Sequence, residues 1–212
     1  MNTVFSFITV FAGLVSSAYG QETNQKVDHP FLKPQTSLVL GTTSFEVHLS
    51  NDVSRSTSTF NKTGIGTYGF DIEVNSTSFL NIGGYFRAYY QDSEGRNQDL
   101  STQLSIFLGG FTRFFYSPDF LKSKNFIPNL FARLDLGAGP AIYTAPSGLL
   151  AQTGLHLGSE IYFNPWIGLG LSYGRVFEYG KETLSSGLDG SYNSTFVIRG
   201  QVIQFYLKTT FF

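Results

Sequence analysis

The feature that most constrains the fold is an alternation of large apolar residues with small or polar ones along the chain. In residues 166–179, for example, Ile167 and Leu169 alternate with Gly168 and Gly170. Segments of this kind, roughly ten residues or more in length, recur between runs of Gly, Asn, Ser, Asp and Pro. The segments are residues 37–50, 65–74, 79–91, 98–113, 130–143, 149–163, 166–179 and 192–212. They predict an all-β, antiparallel, up-and-down architecture of eight strands.

The identity of the small residues indicates which face of these strands meets which environment. A soluble barrel with an apolar interior and a membrane barrel with an apolar exterior give the same alternation. Glycine weakens a strand, so it is not expected to accumulate on a solvated outer surface. In a narrow barrel interior small residues fit the limited space, so glycine is expected there. The polar face carries many glycines, at positions 69, 83, 109, 137, 139, 158, 168, 170 and 174. We therefore predict a transmembrane β-barrel with its large side chains turned outward, and a secreted soluble barrel is the alternative.

Composition excludes several other classes of protein. Charged residues make up 14% of the 212 residues and aromatic residues 17%, which excludes a disordered chain. The formal net charge is -1, with the basic residues scattered singly, so no nucleic-acid partner is expected. The absence of cysteine excludes disulfides and a thiol nucleophile.

The N-terminus has the pattern of an export signal. Residues 4–15 are an apolar run too short to span a bilayer, and small residues at Ala18 and Gly20 suit cleavage after residue 20. The first three residues carry no Lys or Arg, so a buried strand or helix is the alternative reading. The expected organisation is a signal peptide at 1–20, a periplasmic lead-in at 21–35 and the barrel at 36–212.

The connections indicate an orientation. Stretches 51–64 and 181–190 are expected to be long extracellular loops, and 75–78 and 164–165 short periplasmic turns. The stretch 114–129 is long for a periplasmic turn and leaves room for a short helix.

Two pieces of sequence resemble a known family. Residues 162–173, YFNPWIGLGLSY, look like a strand–turn–strand hairpin of the small outer-membrane barrels of the OmpA, OmpX and OmpW type, and Phe211-Phe212 resembles their terminal assembly signal. Phe211 is in phase with the outward residues of its strand and Phe212 is not. The resemblance implies a bacterial outer-membrane location and a monomer. Its expected partners are outer-membrane lipids, lipopolysaccharide and the barrel insertion machinery.

The polar face also carries a set of charged residues. It consists of Glu46, Asp71, Glu73, Arg87, Arg133, Asp135, Glu160 and Lys208. In a narrow interior these charges are expected to neutralise one another in a closed network, and the alternative is an ion-selective channel lining.

One short motif suggests chemistry. His48-Leu49-Ser50-Asn51 resembles the His-x-Ser-Asn element of outer-membrane lipid A deacylases, in which His acts as base and Ser as nucleophile. The match is four residues long and lies in the first strand, so we expect polar lumen residues and no catalytic site. His156 and Glu160 lack an obvious third ligand, so neither a metal nor a cofactor is expected.

These observations favour a non-enzymatic outer-membrane barrel with a structural, adhesive or surface-interaction role through its extracellular loops. A narrow pore or a conduit for small solutes, hydrophobic ones included, is the first alternative. A lipid A-modifying enzyme that uses His48 and Ser50 is the second.

Overall fold

A computed structural model describes residues 34–51, 57–77, 79–91, 103–117, 127–142, 148–163, 166–186 and 190–210. It is a closed barrel in which each strand pairs with the next and the last returns to the first. The strands are β1 (Gln35–Asn51), β2 (Thr57–Thr77), β3 (Leu80–Gln91), β4 (Gln103–Tyr116), β5 (Ile127–Ile142), β6 (Gly148–Tyr162), β7 (Ile167–Ser186) and β8 (Gly190–Thr210). The predicted all-β, eight-stranded, up-and-down barrel is confirmed.

Closure follows from the pairing of the first strand with the last. β1 and β8 are antiparallel from Gln35 opposite Thr210 to Asn51 opposite Ser194. Every strand of the ring therefore finds a partner on both sides, and no sheet edge is left along the closed part of the wall. In the described residues no helix is long and apolar enough to cross a membrane.

The outer surface carries a continuous apolar belt. Leu157 on β6 is 63% exposed and Leu108 on β4 is 61% exposed. The other exposed members include Leu38, Leu40, Phe70, Ile72, Leu130, Leu134, Leu136, Leu155, Leu169, Leu171, Ile203, Phe205 and Leu207. A belt of this extent would aggregate in water and is suited to lipid.

Four strands extend beyond the closed wall at the end opposite the chain termini. β1, β2, β7 and β8 contain 17, 21, 20 and 21 residues, whereas β3 to β6 contain 12 to 16. β2 pairs with β3 only as far as Gly66 opposite Tyr90, and β7 pairs with β6 only as far as Gly180 opposite Leu150. We call the four-stranded extension above these points the protruding sheet.

The protruding sheet corrects the expected loops. Residues 57–64 of the predicted loop 51–64 belong to β2, and residues 181–186 of the predicted loop 181–190 belong to β7. Polar composition suggested loops, but a strand above the membrane has water on its outer face and can carry polar residues there. Gly64, with a φ of 74°, provides the left-handed residue where the β1–β2 register shifts between Thr43 and Phe45.

Several predictions fall outside the described residues. The signal peptide, nearly all of the lead-in and the terminal Phe211 and Phe212 lie there, so they stay predictions. Of the stretch 114–129, residues 114–116 end β4 and 127–129 begin β5; residues 118–126 are outside the described part.

Candidate functional site

The barrel interior is the candidate site, because it collects the buried charges of the molecule. Charged side chains share the lumen with two apolar clusters that lie toward opposite ends. The upper cluster, toward the protruding sheet, consists of Phe45, Val47, Ile65, Tyr85, Tyr89, Phe107, Phe111, Leu150, Val176, Ile198 and Val202. The lower cluster, toward the termini, consists of Val39, Phe115, Phe131, Tyr162 and Tyr206.

Four charged side chains from alternate strands form a closed ring across the lumen. Arg113 on β4 donates to Glu73 on β2 at 2.9 Å and also to Glu160 on β6. Lys208 on β8 contacts the same two carboxylates, with its Nζ 2.5 Å from Glu73 Oε1 and 2.9 Å from Glu160 Oε2. We call this set the charge ring; it holds two cations and two anions and is neutral.

Uncharged side chains add hydrogen bonds to the charge ring. Asn129 Nδ2 donates to Glu160 Oε1 at 2.8 Å, and the Tyr162 hydroxyl lies 3.2 Å from the same oxygen. The Tyr162 hydroxyl also lies 2.8 Å from Gln35 Oε1. A buried carboxylate needs several such partners, because burial otherwise costs more than a single ion pair returns.

A second neutral group lies beside the charge ring. Asp71 on β2 accepts from Arg87 on β3, with 2.6 Å between Oδ1 and Nη1, and from Arg133 on β5. Arg133 also donates its Nε to Asp135 at 2.5 Å, and the other oxygen of Asp135 is 3.3 Å from His156 Nε2. We call Asp71, Arg87, Arg133 and Asp135 the aspartate–arginine cluster.

Aromatic rings cover the guanidinium groups. Arg133 lies 3.8 Å from the centroid of the Phe111 ring, and Arg113 lies 4.8 Å from that of Phe131. These cation–π contacts stabilise charges that have left water. The charged groups are therefore enclosed by partners and rings, and their side chains are between 0 and 6% exposed.

Glycine makes room for these large side chains. A Cβ on Gly83 would lie 2.4 Å from the Phe111 ring, and a Cβ on Gly174 would lie 2.2 Å from His156 Nδ1. The glycines on the polar face thus accommodate side chains from neighbouring strands.

The structure brings together most of the predicted charge set. Asp71, Glu73, Arg87, Arg133, Asp135, Glu160 and Lys208 are all buried in the lumen. The predicted charge set lacks Arg113, which bridges both carboxylates of the charge ring. Arg113 lies an even number of residues from Ser105 and Gly109, so the alternation along β4 turns it inward with them.

Glu46 is the exception, and the prediction that it lies in the lumen is wrong. Its side chain is 46% exposed on the outer face, whereas its neighbours Phe45 and Val47 are buried inside. Leu38 and Leu40 in the lipid belt already fix the even-numbered residues of β1 as outward. At the level of Glu46 the surroundings outside are polar and the lumen is apolar, so the usual pattern of a membrane barrel is reversed.

Because the even-numbered residues of β1 face outward, His48 also lies on the outer face. His48 Nε2 lies 3.4 Å from Glu46 Oε2, and its Nδ1 lies 3.1 Å from the Thr59 hydroxyl on β2. Both ring nitrogens therefore face groups other than Ser50. The expectation that His48 and Ser50 are lumen residues is wrong for the same reason as for Glu46.

A closed eight-stranded barrel with an apolar outer belt and buried charged side chains in its lumen defines a bacterial outer-membrane β-barrel protein. No protein-family model matches this sequence, and no curated protein matches it.

Several solved outer-membrane proteins are similar to the chain. Pseudomonas aeruginosa OprG is 9% identical with a TM-score of 0.46, and 86% of this chain and 100% of that one are covered. AlkL is 12% identical with a TM-score of 0.43, covering 91% and 96%. Neisserial surface protein A is 12% identical with a TM-score of 0.40, covering 82% and 97%. Likeness at this level carries no argument about function.

Proposed function

We propose that this outer-membrane barrel is non-enzymatic, has a closed interior and acts in structure or recognition at the cell surface through its protruding sheet and the connections between those strands. The observation that carries the proposal is the charge ring, a neutral set of ion-paired side chains in the interior. The charge ring joins β2, β4, β6 and β8 directly across the lumen, where a conducting pore would need space for water and ions.

The pairing of the charges supports a structural role more than an ion pathway. Rings of charged side chains that select ions must leave those charges free to replace the water of a passing ion. Here each carboxylate of the charge ring contacts two cationic side chains. Breaking those contacts to admit an ion would leave buried charges unpaired, which is costly.

A surface role can be tested by exchanging the parts that extend from the membrane. Replacing residues 52–56 and 187–189 by Gly-Ser sequences of equal length should reduce attachment of expressing cells to host cells or matrix. The folded, heat-modifiable barrel should still be present in the membrane. The control is Glu178→Gln, because Glu178 on β7 is buried in the lumen, where Gln152 donates to it, and its substitution should leave attachment unchanged. Full attachment by the exchanged variant, or an equal loss in the control, would contradict the surface role.

The upper cluster favours a second candidate, a conduit for small hydrophobic solutes. Its side chains make the lumen apolar near the protruding sheet, where a soluble barrel would hold an apolar ligand. Because the charge ring closes the lumen below the upper cluster, a solute would have to leave sideways through the barrel wall instead of along the barrel axis. Liposomes containing the protein should take up a fluorescent hydrophobic solute faster than empty liposomes if this candidate is right, and at the same rate if the closed-barrel proposal is right.

A further inference from the structure

Two arginines interrupt the apolar outer surface of β7 and β8. On β8 the outward residues from the termini upward are Leu207, Phe205 and Ile203, followed by Gln201 and Arg199. On β7 the outward residue Tyr173 is followed by Arg175 and then by the exposed aromatic residues Phe177 and Tyr179. Both arginines are exposed, and we call them the outward arginine pair.

The register brings the two arginines next to each other. Arg175 is opposite Gln201 and Phe177 is opposite Arg199, so the arginines are diagonal neighbours on one face. Diagonal neighbours on paired strands are roughly 7–8 Å apart, within reach of a single ligand for side chains as long as arginine. Exposed aromatic rings frame the pair on the same face of β7, at Tyr173, Phe177 and Tyr179.

The level of the pair matches the upper boundary of the membrane. Arg199 lies ten residues above Thr209 on β8. At about 3.3 Å per residue and a strand tilt of about 40°, this is roughly 25 Å, the usual height of the apolar belt. With the termini on the periplasmic side, as the short turns predict, the pair lies just below the start of the protruding sheet on β7, and we place its guanidinium groups at the headgroup level of the outer leaflet.

The chemistry of the pair suits a phosphate group. Guanidinium presents a planar fork of donors that matches phosphate oxygens, and it is more weakly hydrated than an ammonium group. Glu46 lies opposite Arg199 and supplies one negative charge, so the local balance is one positive charge in excess. We propose that Arg175 and Arg199 together bind a phosphate of the phosphorylated glycolipid of the outer leaflet. This inference goes beyond the proposed function and does not depend on it.

The test measures binding of lipid A to the purified mature barrel in detergent, with lipid A that carries its phosphates and with enzymatically dephosphorylated lipid A. Each arginine near an anionic lipid surface contributes about a fivefold increase in affinity, so the double variant Arg175→Gln, Arg199→Gln should bind phosphorylated lipid A about 30-fold more weakly. Binding of dephosphorylated lipid A should be weak and unchanged by the substitutions. Raising the salt concentration should weaken the wild-type interaction.

Lys181→Gln is the matched control, since it removes a positive charge from the same strand and face six residues further up. It should bind like wild type. The variant Arg175→Lys, Arg199→Lys should bind between wild type and the glutamine variant, because it keeps the charge and loses the fork. Heat-modifiable gel mobility verifies that each variant is folded. Equal binding by the glutamine variant, equal binding of dephosphorylated lipid A, or an equal loss in Lys181→Gln would overturn the proposal. Complete displacement by millimolar inorganic phosphate would also overturn it, because the site would then recognise the free ion.

Discussion

At the scale of single residues, Arg113 shows how the interior is stabilised. Its guanidinium joins carboxylates from β2 and β6 and rests on the Phe131 ring, so one side chain links three other strands. Removing it would leave Glu73 and Glu160 with Lys208 as their shared cation. The remaining negative charge would be buried, and a buried charge whose partner is deleted costs about 3–5 kcal/mol.

We therefore expect Arg113→Ala to destabilise the barrel by about 3–5 kcal/mol. The measurement is the midpoint of unfolding in urea for the refolded protein in detergent. The folded fraction is read from the difference in gel mobility between unheated and boiled samples. Lys181→Ala is the control, because Lys181 is exposed on the outer face and should change stability by at most about 1 kcal/mol. Equal midpoints for the two variants would mean that the lumen is hydrated and that the charge ring contributes little.

Close packing gives a second expectation at this scale. Gly83→Ala should destabilise the barrel by about 1–3 kcal/mol, because its Cβ would lie 2.4 Å from the Phe111 ring that covers Arg133. Gly110→Ala should be tolerated, because the added Cβ would face outward with its nearest atom at 3.5 Å. The same urea assay compares them, and a larger loss for Gly110→Ala than for Gly83→Ala would contradict this account of the polar-face glycines.

His48 supports an expectation about chemistry. Since its ring nitrogens face Glu46 and Thr59, we expect no Ser50-dependent hydrolysis of lipid acyl chains. Mass spectrometry of lipid A from cells with and without the protein should show the same acyl chains. Loss of an acyl chain in wild type that disappears in His48→Ala would show that the barrel is an enzyme.

At the scale of the strand, β1 explains which faces the sequence could predict. The other seven segments keep apolar residues outward through the membrane, and the charges that the alternation predicts to face inward there are buried, although the predicted set lacks Arg113. In β1 the alternation of Phe45 and Val47 with Glu46 and His48 predicts the opposite phase, because these residues lie at the height where lipid gives way to polar surroundings. The apolar residues face the lumen at this height because the surroundings outside the barrel become polar, while the alternation of inward and outward residues along the strand continues unchanged. Leu38 and Leu40, lower in the same strand, carried the correct phase.

This reversal can be tested by labelling. The chain has no cysteine, so a single substitution introduces the only thiol. On intact cells, Glu46→Cys should react with a membrane-impermeant maleimide and Phe45→Cys should be protected, since the first side chain is exposed and the second is 7% exposed. The opposite result would place Glu46 in the lumen and shift the register of β1.

At the scale of the whole molecule, the sequence predicted the barrel but not the pairing of its charges. Alternation and glycine placement are local features and give the faces and the number of strands. The charge ring depends on the stagger between strands at closure, which brings Lys208 to Glu73 across 135 positions of the chain. The protruding sheet is also a property of closure, because it begins where the pairing with β3 and β6 ends.

The closed interior is the central claim, and planar-bilayer conductance of the purified wild-type barrel tests it most directly. We expect no steady conductance above that of the bare bilayer at potentials of either sign, because the charge ring and the aspartate–arginine cluster occupy the lumen with paired side chains. Reproducible, ohmic single-channel steps in wild type would contradict the claim and identify the paired charges as the lining of an open pore.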